Sequence, residues 1–87
     1  SADKFISDDE IIETVRAGSE RIIKDVLNDK ISIGNKFVVR DANTDLNIVC
    51  KLEQGKTNDE LVVVVITVIR TGKFFNQADT NWVVMVR

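Results

Sequence analysis

The chain has 87 residues, 44% of them apolar and 30% charged, which is the composition of a single globular domain over 1–87 and too apolar for a disordered tail. A chain this short buries only roughly 60% of its unfolded surface, so its core is thin. The 12 basic and 14 acidic residues give a net charge of −2, which argues against a broad phosphate-binding surface, since that needs a clustered excess of Lys and Arg.

Several chemistries are excluded by residue type. With no histidine, the chain lacks the commonest general acid/base and any internal Ser–His or Cys–His nucleophile pair. Zinc sites of the Cys/His kind go with it. One cysteine, Cys50, cannot form an internal disulfide framework, and small secreted domains usually carry one. No signal peptide is read at the start, and the apolar run Leu61–Ile69 is too short for a membrane helix. A cytoplasmic setting without membrane contact is the expectation.

Ser7-Asp8-Asp9-Glu10 reads as a capping box, with Ile6 and Ile11 as a hydrophobic staple. Apolar residues then fall at Ile11, Ile12, Val15, Ile22, Ile23, Val26 and Leu27, one stripe at helical spacing. The pattern predicts an amphipathic helix over 8–28, bent or split near Gly18, in preference to two helices with a sharp corner. Asn28-Asp29-Lys30 ends it, and Gly34-Asn35 makes a turn.

The period then changes from 3.6 to 2. Strands are expected at Lys36–Arg40, Leu46–Glu53, Glu60–Thr71 and Asn81–Arg87. In the second, Leu46, Ile48, Cys50 and Leu52 share one face. Short loops between strands imply a meander, so the expected fold is α+β: the helix on a four-stranded antiparallel sheet centred on the third strand. That strand is apolar on both faces, with Leu61, Val63, Val65 and Ile69 on one and Val62, Val64, Ile66 and Val68 on the other. One helical layer covers one face. The other needs the 72–80 connector with Phe74 and Phe75, or a second protein chain.

Asp41-Ala42-Asn43-Thr44-Asp45 matches the first ligand positions of a calcium loop. Leu46 stands where glycine is needed and Leu52 where the bidentate glutamate belongs, so a hairpin turn is the reading and no metal is expected. Cys50 reads as a buried structural thiol. Arg40, Lys51, Arg70, Lys73 and Arg87, on strands or just after them, are the only basic set worth considering; some could converge near one end of the sheet and with Phe74, Phe75 and Trp82 bind RNA, while the plainer reading is solvated strand ends.

The helical segment Glu20–Leu27 leading into Phe37–Arg40, within Ser7–Arg70, resembles in layout the small RelE/ParE/BrnT group of toxin-type proteins. The resemblance implies a sheet whose basic side chains hold and cleave messenger RNA, with Arg40, Arg70 and Lys73 inheriting that role. Tyrosine and histidine are missing and the charge is acidic, which weighs against activity. The leading expectation is therefore a non-enzymatic interaction protein without a cofactor. It would act through Val62, Val64, Ile66, Val68, Phe74, Phe75 and Trp82, as a homodimer or on a protein partner in the manner of antitoxin, immunity or phage-type effector proteins. A toxin-like ribonuclease or RNA-binding protein is the alternative.

Overall fold

The computed structural model describes residues 5–72 and 80–87, with only the backbone described at Thr80 and Asn81. Two helices, α1 (Asp8–Ala17) and α2 (Ser19–Leu27), precede four strands: β1 (Lys36–Asp41), β2 (Leu46–Gln54), β3 (Leu61–Arg70) and β4 (Thr80–Val86). The class is α+β, as the pattern implied.

The helix start follows the sequence closely. Ser7 Oγ accepts from the Glu10 N–H at 3.1 Å, satisfying one of the free donors of the first turn. The Glu10 carboxylate, expected to reach back to Ser7, meets Arg70 at 2.7 Å. The single helix expected over 8–28 is divided at Gly18. Its φ of −94° and ψ of 3° leave the helical region, although the Ile22 N–H still bonds the Gly18 carbonyl at 2.9 Å. The reason for glycine is tertiary: a Cβ there would stand 2.9 Å from Val86 Cγ1. The break is the point at which the helical layer touches β4. Downstream, Asp29 takes a left-handed φ of 61°, and the Lys30 N–H returns to the Asp25 carbonyl at 2.8 Å, closing α2.

The sheet differs from the expected meander in two respects. Its order is β3-β2-β1-β4, and β4 runs parallel to β1, so the sheet is mixed. The apolar strand β3 is therefore an edge, and β1 and β2 form the centre. Consecutive strands β3 and β4 stand at opposite edges. Apolar alternation tells which face a residue takes and is blind to which strand lies beside it.

Phe37, Val39, Ile48, Cys50, Leu52 and Val84 point to the helical side and form the main core with Ile22 and Ile31. α1 packs on β1. α2 is tied to β4 by Trp82, whose Nε1–H donates to Asp25 Oδ2 at 2.9 Å, and Lys30 Nζ sits 5.6 Å from the Trp82 ring centroid. The helical layer thus lies over β1 and β4. On the other side of the sheet Val38, Asn47 and Val49 are also buried.

Candidate functional site

The register of β3 settles how its apolar residues are shared between faces. Val49 pairs with Thr67 and the next residue, Cys50, with Val65, so Ile66 is an extra residue opposite no β2 partner. This is a β-bulge, and it resets the alternation. Before it, Leu61, Val63 and Val65 face the helical side with Leu52 and Cys50, and Val62 and Val64 face away beside Glu53 and Lys51. After it, Val68 lies opposite Ile48 and packs on the core, and Ile69 lies opposite Asn47. Two expectations change accordingly. Val68 does not share a face with Val62 and Val64, and Ile69 does not share one with Leu61.

Between the helices and the helical side of β3 runs an open groove of about 510 Å³. Leu52 and Val63 lie along it on the sheet side, and Ile12, Ile23 and Leu27 on the helix side, with Arg16 and Ser19 as its polar members. The helical stripe is wider than the core needs. Ile11, Val15, Ile22 and Val26 turn inward, while Ile12, Ile23 and Leu27 remain 50%, 58% and 77% exposed. Leu61, Val62, Val64, Val65 and Ile66 on the adjoining strand are 37–44% exposed. So many exposed large apolar side chains on adjoining elements are uncommon on a monomer. Among the described residues, the outer edge of β3 has no neighbouring strand.

Of the residues singled out for binding, Val62, Val64 and Ile66 thus belong to one exposed edge. Trp82 belongs elsewhere: it is half-buried beside α2 at the opposite edge. Phe74 and Phe75 lie outside the described residues. The helical residues Ile12, Ile23 and Leu27 were missed as site residues. Their signal is present as adjacent apolar doublets, Ile11-Ile12, Ile22-Ile23 and Val26-Leu27, whose members are about 100° apart on a helix and cannot all face one sheet.

Arg40, Arg70 and Arg87 gather at one end of the sheet, on the Asp41–Asp45 turn, but not all on one face, and Lys51 stands apart from them. Arg40 is opposite Asn47 on the outer face, and Arg70 is opposite Leu46 on the helical face. Arg40 donates to Asn47 Oδ1 at 2.8 Å and to Asp45 Oδ1 at 3.1 Å. Arg70 donates to the Thr44 carbonyl at 2.8 Å and to Glu10. Lys51 lies 3.7 Å from Glu53, and Arg87 lies 3.2 Å from Asp41. All four groups have partners within the chain, with Lys51 and Arg87 still partly exposed. Lys73 lies outside the described residues.

The Asp41–Asp45 segment is a hairpin turn. Asp41 Oδ1 accepts from the N–H groups of Asn43 at 2.9 Å and Thr44 at 3.3 Å, and Asp45 takes a left-handed φ of 60°. Among the described residues, no group of three or more Cys, Asp or Glu could hold a metal ion. None of the described helices is long and apolar enough to cross a membrane. Cys50 is fully buried, and burial pushes its thiol up to about 12, so it is not a nucleophile at ordinary pH.

No family model matches the chain, and neither the curated proteins nor the solved structures contain a match.

Proposed function

We propose that the chain is a non-enzymatic interaction protein that docks a protein partner along the open β3 edge and the groove beside it. One observation carries the reading: the charge-free stretch Leu61–Ile69 of the edge strand, apolar on both faces before its bulge, stands next to helical side chains left facing solvent. Edge strands of soluble proteins are normally blunted by charge, proline or cover. Leu61–Ile69 carries neither charge nor proline. A strand edge of this kind offers main-chain hydrogen bonds for affinity, and the groove offers side-chain selectivity, as in strand-addition binding.

The test is capture from native extract on two immobilised forms, the wild type and Leu61→Glu/Val65→Glu, with solution mass measured in parallel. The expected result is a species retained by the wild type and lost by the variant, whether the same chain or another protein. If the wild type retains nothing and sediments as a single chain, the docking reading fails.

A further inference from the structure

We propose that the occupant of this edge is a second copy of the chain, whose β3 pairs antiparallel with the first about a two-fold axis at Val63. The proposal rests on the docking reading above and adds the partner to it.

The register favours this pairing. Antiparallel strands place residues of the same face opposite one another. The regular part of β3 is Leu61–Val65, ending at the Ile66 bulge. Pairing centred on its middle residue sets Val63 opposite Val63 of the partner subunit. It sets Val62 opposite Val64 of the partner subunit and Leu61 opposite Val65 of the partner subunit. Every pair is then face-matched and aliphatic, no charge meets a like charge, and the ladder stops where the bulge would break it.

Both faces of the strand also carry apolar side chains that need neighbours. A ligand lying in the groove alone would leave Val62 and Val64 in water, because they face away from it. A strand added at the edge gives side chains on both faces an aliphatic neighbour, Val62 and Val64 on the outer face as well as Leu61, Val63 and Val65 on the groove side. The two-fold axis stands normal to the sheet, so both helical layers fall on the same side and the two grooves open into one cleft. Ile23 and Leu27 of each copy then line a shared apolar interior. Polar groups sit at the margin, Lys51 with Glu53 on the outer face and Arg16 with Ser19 at the groove, as in an apolar interface core with a polar rim.

The edge itself favours a partner of the same chain. The stretch Leu61–Val65 that would pair carries no lysine, proline or inward charge, and the strand's devices against its own copy, the Ile66 bulge and Arg70, lie beyond it. Its own copy is self-complementary by the register above. Stable interfaces bury about 800 Å² per partner. A five-residue ladder together with eight aliphatic side chains at 37–77% exposure, Ile12, Ile23, Leu27 and those from Leu61 to Ile66, is a surface of that order.

Sedimentation equilibrium at tens of micromolar tests the pairing, together with air oxidation of two cysteine variants. The expected mass is that of two chains, falling to one in Val64→Lys with an unchanged far-ultraviolet spectrum. Val63→Cys is expected to give a disulfide-linked dimer, since the two positions face each other. Val62→Cys is not, because its two copies would lie about 8 Å apart from strand rise and spacing, beyond disulfide reach. A wild type that remains a single chain overturns the self-pairing while leaving the docking of another protein standing. A dimer whose Val63→Cys variant fails to cross-link overturns it too, because the contact is then elsewhere. Should Val64→Lys unfold, the two cysteine variants decide alone.

Discussion

The two edges of the sheet are made of similar material and have opposite fates. β4, with Trp82, Val83, Val84 and Met85, and β3, with its run of valines, both read as apolar strands. On β4, Val84 is fully buried and Val86 nearly so, because Gly18 lets the helical layer approach and Trp82 bonds Asp25. On β3, Val65 points toward the same helical layer and is 40% exposed. Two short helices are too narrow to roof four strands. The layer is drawn to the β4 edge by a close contact and a hydrogen bond, and the β3 edge is left open. Apolar content therefore does not decide which edge becomes core; the placement of the roof does.

The comparison is most directly broken by paired truncations in dilute solution. Val84→Ala should cost about 2 kcal/mol in urea unfolding, the loss of a buried aliphatic group plus the space it leaves. Val65→Ala should cost well under about 1 kcal/mol, since a large part of its surface is already in water. Equal costs would mean that the β3 edge is roofed after all. Next in size, Trp82→Phe removes the only described donor to the buried Asp25 carboxylate from β4. It should cost about 1.5 kcal/mol by thermal or chemical unfolding, because a buried acceptor is left without its partner. A neutral result would show that this bond does not hold α2 over β4.

Gly18→Ala sharpens the same point with a smaller effect. Alanine favours helix by about 1 kcal/mol over glycine, but its Cβ would press on Val86, which is buried and has little room to yield. A net loss of about 1 kcal/mol is expected in melting experiments. A gain would mean that helix propensity outweighs the close approach. The smallest effect at neutral pH belongs to Cys50, in the sheet centre between the two edges. Its folded pKa is raised above the unfolded value of 9.0 to about 12 by burial. A raised acid pKa gives stability that is complete below pH 9 and is lost as pH rises toward 12. The wild type should therefore weaken by about 1.4 kcal/mol per pH unit in that window relative to Cys50→Ala, and not below it. Parallel pH profiles of urea midpoints would show Cys50 to be solvated if no divergence appears.

The β3 edge also shows how far local pattern reaches. Ser7 and Glu10 announced the helix start because capping is settled within four residues. The alternation of Leu46, Ile48, Cys50 and Leu52 named the core face of β2 because side-chain direction in a strand follows from the pleat alone. The same alternation misplaced Val68 and Ile69, since one unpaired residue at Ile66 inverts every face after it and leaves no mark in composition. Arg40 and Arg70 looked alike as strand-end arginines. Only the pairing partners, Asn47 and Leu46, put them on opposite sides of the sheet.

By itself the sequence determined the class, the element boundaries to within a residue or two, the cap at Ser7, the turn at Asp41–Asp45 and the buried nature of Cys50. These depend on backbone preference, hydrogen bonds between near neighbours and side-chain period, all of which act over a few residues. The tertiary structure alone decided the strand order, the parallel pairing of β4 with β1 and the exposure of the β3 edge. Each of these depends on which distant surfaces meet: every strand here is apolar enough to be central, and packing of one narrow helical layer fixes which of them is covered.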